Sequence, residues 1–383
     1  MRSKGKIAYV TGTRADFGLM TPVLNAIEKS DKLSLRMYAT GMHLMPAFGR
    51  TVRLVRKAFP STTVIPAVFK GNTPESTAAF AADALREVTK AFTRNHPDFA
   101  LLLGDRPEML AVATACLYLG IPTGHLHGGE RTATADENAR HGITKLASLH
   151  LPATQDAARR LKRMGEEAWR IRVVGAPALD VIRGRRSLPS KSDLFGFLHF
   201  SAQKHFALLV QHPGSQGSAA GGEIKETIAA LKSVALPTVA VCPNADAGSF
   251  AIIRALEKER RNPRFRIFKN IPYDMFLAAE REAALLIGNS SAALIEGAAW
   301  KKPVINLGDR QRGRFRGKNV IDVPFNRKKI ARVILAALHD RAFRRALLNM
   351  ENPWGDGKTG PRVRKILENL PGGSELLSKQ MSY

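Results

Sequence analysis

The first half of the chain alternates short apolar runs with longer amphipathic stretches. The apolar runs are KIAYVTG, SLRMYATG, FALLLGD, TGHLHGG, SLHLPAT and IRVVGAP, and stretches such as ESTAAFAADALREVTKAFTRN lie between them. Short apolar runs separated by segments with apolar residues near a 3.6-residue period predict a parallel sheet with helices on both faces. We therefore expect an α/β, Rossmann-like domain over residues 1–182.

The same pattern restarts after a polar, charged stretch near residues 183 to 203. FALLVQHPG, TVAVCPN, FRIFKN, ALLIGNS, PVINLG and NVIDVP predict strands, and EIKETIAALKSVA, SFAIIRALEKER, YDMFLAAER and SAALIEGAAW predict helices. A second Rossmann-like domain is expected over 183–360, with a C-terminal helix in 361–383 that packs back on the first domain. Because open α/β sheets bind ligands at the carboxyl ends of their strands, we expect the ligand in the cleft between the two domains.

The charge is strongly positive, with 59 Lys and Arg against 33 Asp and Glu, a net +26. The basic residues are spread along the chain and no aromatic residues interleave with them, which argues against a nucleic-acid surface. We interpret the charge as a field that attracts phosphorylated substrates. No stretch has the length of a signal peptide core or a membrane span, so we predict a cytoplasmic protein without a membrane partner. Cys116 and Cys242 lie in apolar runs and predict buried thiols.

A turn rich in small residues follows the first predicted strand, from Thr11 to Gly18, with Arg14 inside it. Backbone N–H groups at a helix start, together with an arginine, favour anion binding. The turn lacks the spaced glycines of a dinucleotide fingerprint, so a nicotinamide cofactor is not expected.

Acidic residues follow two neighbouring strands of the first sheet. Asp105 and Arg106 come directly after FALLLG, and Glu130 closes the HLHGGE segment. Asp136 and Glu137 follow shortly afterwards, although acids at this position are also typical of a helix start. Clustered carboxylates raise one another's pKa, so one acid of the cluster can donate a proton while another accepts one.

A metal site is the alternative for this region. His125 and His127 alternate along the predicted strand and should therefore face opposite sides of the sheet, where they cannot share one ion. We expect neither a metal nor a cofactor.

The second half carries several anion-binding turns after its strands. His212 lies in QHPGS, Asn244 and Asp246 lie in PNADAGS, and Ser290 and Ser291 cap a helix. Further along, Glu296 is placed to hold a ribose diol, and Arg310 follows the next strand. Together these turns favour a nucleotide diphosphate.

At these residues the chain resembles the hydrolysing UDP-N-acetylglucosamine 2-epimerases of sialic and nonulosonic acid biosynthesis. The resemblance covers nearly the whole chain and rests on TGTRADFG, ATGMH, LLGDR, HLHGGERT, DENARHGITK, VVGAP, QHPGS, PNADAGS, NIPYDMF, IGNSSAALIE, PVINLGDRQRGR and PWGDGKTGPR. It implies a glycosyltransferase-B type fold, a homodimer or homotetramer, and a nucleotide-sugar substrate. The implied reaction eliminates UDP from UDP-N-acetylglucosamine to give 2-acetamidoglucal, which is then hydrated to N-acetylmannosamine.

The resemblance also assigns residues. It implies catalytic roles for Asp105, Glu130 and Asp136, with Glu137 next in line; His127 stands where some relatives carry Glu. The residues implied on the substrate are Arg14, Arg106, His212, Asn244, Asp246, Phe268, Ser290, Ser291, Glu296 and Arg310. The backbone from Phe268 to Ile271 is expected to meet the base. Pro107 replaces an aromatic residue that relatives usually have, which changes the expected sugar pocket.

Other functions stay open at this point. UDP-N,N'-diacetylbacillosamine and GDP-N-acetylglucosamine are alternative substrates, and a non-hydrolysing 2-epimerase or a glycosyltransferase of the same fold are alternative enzymes. A nucleic-acid-binding module would explain the charge and would show salt-sensitive affinity, but it would leave the acid cluster without a purpose.

Overall fold

The computed structural model describes residues 4–71, 73–133, 135–184, 188–200, 205–214, 219–243 and 248–382. The chain folds into two compact units. Unit 1 comprises Met1–Glu130, Ala135–Gly184 and Trp354–Tyr383, and unit 2 comprises Arg131–Thr134 and Arg185–Pro353. Each unit is an α/β domain built on one parallel six-stranded sheet, in agreement with the predicted fold class.

The sheet of unit 1 has the strand order β3-β2-β1-β4-β5-β6. Its strands are β1 (Gly5–Thr11), β2 (Leu33–Ala39), β3 (Thr63–Val64), β4 (Phe99–Leu103), β5 (Thr123–Leu126) and β6 (Leu149–Leu151). All of β4, FALLL, is buried, because helices cover both faces of a central parallel strand. The short strand β3 was not predicted from the sequence, since a two-residue strand leaves no apolar run.

The helices of unit 1 cover both faces of this sheet. They are α1 (Arg14–Glu28), α2 (Val52–Ala58), α3 (Pro74–Arg94), α4 (Pro107–Leu119), α5 (Ala135–Leu146), α6 (Gln155–Arg163), α7 (Pro177–Gly184), α15 (Thr359–Leu367) and α16 (Gly373–Leu377). Apolar side chains of α1 and of β1 lie together in one core cluster, and α4 packs with α3 in another.

The sheet of unit 2 has the order β12-β11-β10-β7-β8-β9. Its strands are β7 (Ala207–Val210), β8 (Thr238–Val241), β9 (Phe265–Phe268), β10 (Leu285–Gly288), β11 (Val304–Leu307) and β12 (Val320–Val323). Its helices are α8 (Lys191–Leu198), α9 (Ala220–Ser233), α10 (Ser249–Glu257), α11 (Tyr273–Glu282), α12 (Ser291–Ala299), α13 (Arg327–His339) and α14 (Arg341–Leu348). All six strand predictions for this half of the chain are confirmed.

One local prediction was wrong, and one helix lies where none was predicted. The polar stretch near 183 to 203 contains helix α8, which starts with a capping box of Ser190 and Asp193 and buries Leu194 and Leu198 in a core cluster. The run IRVVGAP forms no regular strand, although Ile171 makes a single parallel bridge to His150.

The C-terminal segment belongs to unit 1 from Trp354 onward, whereas helices α13 and α14 belong to unit 2. Helix α15 packs on α1 and α7. The units have their borders after Gly184 and after Pro353, whereas the domain boundaries expected from the sequence are 182/183 and 360/361. None of the helices in the described ranges is long and apolar enough to cross a membrane.

Candidate functional site

A buried arginine joins two of the predicted catalytic acids at the ends of β4 and β5. Arg140 of α5 donates through Nη2 to the carboxylate of Asp105, and its Nη1 lies 3.4 Å from Glu130 Oε2. The Arg140 side chain is 2% exposed. Burial disfavours its charge, but Asp105 and Glu130 more than offset that effect, and the pKa of Arg140 is raised. The acids therefore gather around a cation, which was not assigned to the site from the sequence.

His127 is the second member of this network. Its Nδ1 contacts Glu130 Oε1, and its carbonyl accepts from Arg140 Nη1 at 3.4 Å. His127 has a φ of 59°, a left-handed conformation that is strained for a residue other than glycine and that recurs at functional sites.

The prediction that His127 alternates with His125 along a strand was wrong, because β5 ends at Leu126. The two rings have different partners instead. His125 Nε2 lies 2.7 Å from the carbonyl of Gly104, and burial lowers the pKa of His125 to about 3, so the ring is neutral. Among the described residues, no group of three or more His, Cys, Asp or Glu side chains is arranged to hold a metal ion.

Asp136 and Glu137 lie in the first turn of α5, as acids at a helix start do. The charge of Asp136 helps to raise the pKa of Arg140, which places it within electrostatic reach of the network. Glu137 Oε1 lies 3.4 Å from His141 Nε2, one helical turn further along. Helix α5 thus brings the Arg140 guanidinium and the acids of its first turn to one end of the sheet.

The turn after β1 differs from its prediction. The carboxylate of Asp16 accepts from the backbone N–H groups of Gly12 at 3.0 Å and Thr13 at 2.9 Å, and Asp16 and Thr13 form a capping box. These two N–H groups are therefore used inside the protein and are not offered to an anion, which corrects the prediction for this part of the turn. Arg14 occupies the first helical position and is half-buried.

Two buried polar residues around this turn were not identified from the sequence. His43 is fully buried between the hydroxyls of Thr11 and Thr51, and burial lowers its pKa to about 4. Glu108 is 1% exposed and accepts from Arg106 Nε at 2.9 Å. A Cβ atom on Gly12 would lie 1.9 Å from Glu108 Oε1, so a side chain at this position would require Glu108 to move.

In unit 2, the turns after β7 and β10 are tied together by Asn289. The backbone N–H of His212 donates to Asn289 Oδ1 at 2.7 Å, and Asn289 Nδ2 donates to the His212 carbonyl at 3.0 Å. Gly288 has a φ of 137°, and a Cβ there would lie 1.9 Å from the carbonyl oxygen of Val210. Two of the predicted anion-binding turns are therefore held in a fixed relation by one side-chain amide.

Ser290 caps helix α12, with its hydroxyl accepting from the N–H of Ala292 at 3.3 Å, and Ser291 is the first helical residue. Gln311 Nε2 donates to the carbonyl of Asn289 at 2.9 Å, and this hydrogen bond connects the turn after β10 to the loop after β11. The carbonyl of Arg310 in that loop accepts from the N–H of Ala133 at 3.0 Å. The helix N-terminus and the loop are thus both ordered by hydrogen bonds.

Glu296 lies deeper than the sequence suggested. It is 1% exposed, and its Oε1 accepts from the phenol of Tyr273 at 2.7 Å. A ribose hydroxyl that bound Glu296 would have to share or replace this donor. Phe268 is half-buried against the ring of Phe197, with 5.3 Å between centroids, and its carbonyl accepts from Cys242. Asn244 and Asp246 lie outside the described residues.

Comparisons with known proteins agree with this architecture. The family model for UDP-N-acetylglucosamine 2-epimerase matches residues 25–368. The chain is 37% identical over 99% of both chains to a Legionella pneumophila UDP-N,N'-diacetylbacillosamine 2-epimerase (hydrolyzing). It is 34% identical over 85% of both chains to a Campylobacter jejuni GDP/UDP-N,N'-diacetylbacillosamine 2-epimerase (hydrolyzing).

Among solved structures, the fold is similar to the UDP-GlcNAc 2-epimerase of Methanocaldococcus jannaschii in complex with UDP-GlcNAc and UDP. The TM-score is 0.79 at 21% identity, and the match covers 94% of this chain and 99% of the other.

Proposed function

Because the chain belongs to the UDP-N-acetylglucosamine 2-epimerase family, we propose that it hydrolyses a UDP-linked 2-acetamido sugar with inversion at C2. The relatives that share 37% and 34% of its residues are named as hydrolysing enzymes. The products are UDP and a free 2-acetamido sugar of manno configuration.

The observation that carries this proposal is the network of Asp105, Arg140, Glu130 and His127 at the strand ends of unit 1. Elimination of UDP leaves positive charge on the sugar ring, and carboxylates near the ring stabilise that charge and exchange protons. Arg140 fixes the directions of both carboxylates, and Glu130 fixes His127 through Nδ1. That contact leaves Nε2 as the ring nitrogen for proton exchange.

The reaction has two steps in this proposal. In the first, a base in the group Asp105, Glu130, Asp136 and His127 takes the C2 proton, the electron pair forms a C1=C2 double bond, and the C1–O bond to UDP breaks. In the second, a base of the same group takes a proton from a water molecule as the water oxygen bonds to C1. The electron pair of the C1=C2 bond takes up a proton at C2 from an acid of the group, on the face opposite to the one that lost its proton. Glu137 is the next acid in the same helix and supports this group.

The nucleotide is assigned to unit 2. The N–H groups at the start of α12, with Ser290, Ser291 and His212, supply donors for the diphosphate, and a helix N-terminus favours an anion. Asn244, Asp246 and Arg310 lie in motifs of the same nucleotide-binding half, and the segment from Phe268 is assigned to the base. Arg14 and Arg106 of unit 1 are kept as substrate-binding residues on the family resemblance alone.

UDP-N,N'-diacetylbacillosamine is the first substrate to test, because both relatives carry that sugar in their names. Its name shows that it carries two N-acetyl groups, and UDP-N-acetylglucosamine is the second substrate to test. Of the two departures, His127 belongs to the acid network and Pro107 lies two residues after Asp105, which is where a change of sugar would be accommodated.

The test is incubation with each UDP-sugar in D2O, followed by proton and phosphorus NMR. We expect free sugar with manno configuration and deuterium at C2, together with UDP, from one of the two. An accumulating UDP-linked epimer would instead identify a non-hydrolysing enzyme. UDP release that requires an added acceptor would identify a glycosyltransferase.

A further inference from the structure

His125, a buried histidine that the proposed reaction does not use, contacts the chain segments that carry the acid network. It lies in β5 and is 0% exposed. Its Nε2 lies 2.7 Å from the carbonyl oxygen of Gly104, the residue directly before Asp105. Its Nδ1 lies 3.3 Å from the hydroxyl of Thr144, which follows Arg140 by one turn of α5.

The backbone after β5 also packs against this ring. A Cβ atom on Gly128 would lie 2.8 Å from His125 Nδ1, so a side chain at that position would require the ring to move. The turn after β4 is held by β5 at two points, because the N–H of Gly104 donates to the carbonyl of Leu126 at 3.0 Å. Since Gly128 lies two residues before Glu130, one ring touches the backbone beside each of the two acids.

The partners of His125 determine which ring nitrogen carries the proton. The carbonyl of Gly104 can only accept a hydrogen bond, so Nε2 carries a hydrogen and donates it. Neither partner is a carboxylate, and burial lowers the pKa of His125, so the ring is neutral. In a neutral ring Nδ1 is then an acceptor, and the hydroxyl of Thr144 is its donor. The two hydrogen bonds form one ordered chain from α5 through the ring to the residue before Asp105.

We propose that His125 is a positioning residue that holds the turn carrying Asp105 against helix α5, so that the Asp105 carboxylate stays in its orientation towards Arg140 and the sugar. Arg140 binds the carboxylate itself, whereas His125 holds the backbone from which that side chain extends. This inference rests on the proposed function, in which Asp105 belongs to the group that exchanges protons with the sugar.

The first experiment determines the tautomer of His125 in the unmodified protein at pH 7. In isotope-labelled histidine, the couplings between the ring nitrogens and the carbon-bound ring protons distinguish the two neutral tautomers from the imidazolium in an NMR spectrum. The signal of His125 is identified by its absence from the spectrum of His125→Gln. We expect the neutral ring with its proton on Nε2.

Two carboxamide variants then test the donor at Nε2. The amide of glutamine reaches the place of Nε2 and can donate to the carbonyl of Gly104, whereas the shorter asparagine reaches only the place of Nδ1. His125→Asn should lower kcat for the UDP-sugar by about 10–100-fold, because a displacement of about 1 Å in a catalytic group can cost about that factor. His125→Gln should restore kcat to within about threefold of the unmodified protein, because it lacks only the hydrogen bond to Thr144.

Two further measurements separate positioning from a general loss of structure. Both variants should keep the Kd of UDP, because the nucleotide is assigned to unit 2. Their free energies of unfolding are compared in a guanidinium titration, since a role in folding alone would make kcat follow stability and not the presence of the Nε2 donor.

The inference is overturned if His125→Asn keeps the kcat of the unmodified protein, if His125→Gln loses as much kcat as His125→Asn, or if the proton is on Nδ1. Thr144→Val and Thr144→Ser take the place of this pair if His125→Asn does not fold. Only the valine variant, which lacks the hydroxyl, should lose kcat several-fold, and equal kcat in the two would overturn the inference.

Failure of the proposed function gives a different result. If the unmodified protein turns over neither UDP-sugar, the 2-epimerase assignment fails, but the backbone amide signals of Gly104 and Asp105 still report on the turn. These signals should move in His125→Asn and return towards their original positions in His125→Gln. Amide signals that stay unchanged in His125→Asn would overturn the inference without any measurement of turnover.

Discussion

Replacement of Arg140 by methionine tests whether a buried cation holds the acid network of unit 1 together. Methionine keeps most of the side-chain length but removes the charge and every donor. Glu130, which is 2% exposed, would then be a buried carboxylate without the arginine that faces it. Removing one partner of a buried pair costs about 3–5 kcal/mol, because the other charge stays buried. For a folding unit of roughly 150–250 residues this lowers Tm by about 6–20 °C.

The three tryptophans of the chain allow unit 1 to be observed separately. Trp169 and Trp354 belong to unit 1, and Trp300 belongs to unit 2. In a Trp300→Phe background, tryptophan fluorescence during a guanidinium titration therefore reports the free energy of unfolding of unit 1. Arg159→Met is the matched control. Arg159 is 66% exposed and lies 3.4 Å from Asp156, so its loss should cost less than about 1 kcal/mol.

A double-mutant cycle measures the coupling directly. When Glu130→Gln is combined with Arg140→Met, no buried carboxylate at position 130 is left unpaired. We expect the double variant to be more stable than the sum of the single effects by about 0.5–3 kcal/mol. The reasoning is refuted if Arg140→Met destabilises unit 1 no more than Arg159→Met does, or if the cycle shows no coupling.

Four further predictions follow from single residues. The Asp105→Asn variant should bind UDP with an affinity within about threefold of the unmodified protein but should lose most of its turnover. A turnover rate near that of the unmodified protein would show that Asp105 is not a catalytic residue. In a denaturant titration, Gly288→Ala should destabilise unit 2 by more than about 3 kcal/mol, because a clash with the Val210 carbonyl adds to about 1–3 kcal/mol of backbone strain. Its control is Gly222→Ala, which lies in open space on α9 and should stabilise unit 2 by about 0.5–1 kcal/mol. Buried His43, with a pKa of about 4, binds its proton less readily than in the unfolded chain. About 3 kcal/mol of stability should therefore be present above pH 6.5 and be lost as the pH falls from 6.5 towards 4, and His43→Asn should flatten this dependence in denaturation curves. Lys379→Met should lower the Tm. Lys379 Nζ donates to the carbonyls of Thr144, Lys145 and Ala147 at the end of α5 and lies 2.6 Å from Glu166. An unchanged Tm would show that these contacts of Lys379 do not stabilise the protein.

The strands of both sheets were predicted from the sequence because their apolar runs are continuous and bounded by turn residues. Buried parallel strands such as FALLL and LLIG do not need to alternate apolar and polar residues, because both of their faces are covered. A short, continuous apolar run between two amphipathic helices is therefore typical of such a strand. Helix α8 was missed for the opposite reason. Its polar flanks, rich in arginine and serine, outweigh the three apolar residues that it buries in the core. The S-x-x-D capping box at Ser190 was nevertheless a usable signal.

The candidate site was predicted less completely than the fold. Residues directly after strands, such as Asp105 and Glu130, were found because the topology brings strand ends together. Arg140 was not assigned a role because it lies inside a helix, ten residues after Glu130, and only the direction of α5 brings its side chain to both acids. His43 and Glu108 were not identified as site residues for a similar reason. A buried polar side chain is recognised by the groups that it contacts in the folded protein, and these are distant in sequence.

Asp16 shows how a motif can be identified correctly and given the wrong contacts. The turn TGTRADFG has free backbone N–H groups in isolation, and an acid three residues into a helix is ordinarily only a cap. In the folded chain that acid accepts from Gly12 and Thr13 as well, so the anion that occupies this part of the turn is the protein's own carboxylate. Burial raises the pKa of Asp16, while these N–H groups and the hydroxyl of Thr11 act in the opposite direction.

The placement of charged groups in unit 1 is difficult to explain by stability. A buried arginine with two carboxylates is commonly no more stabilising than apolar residues of the same volume, because each charge must be taken out of water. The strand ends of unit 1 nevertheless hold Arg140, Asp105 and Glu130 in contact, beside a histidine in a strained backbone conformation. The backbone strain at His127 and the burial of the charged side chains both cost free energy of folding, and the fold does not require them. A reaction that builds up positive charge on a sugar ring benefits from carboxylates that are already oriented. The network is therefore better explained by the chemistry proposed for it than by the fold that carries it.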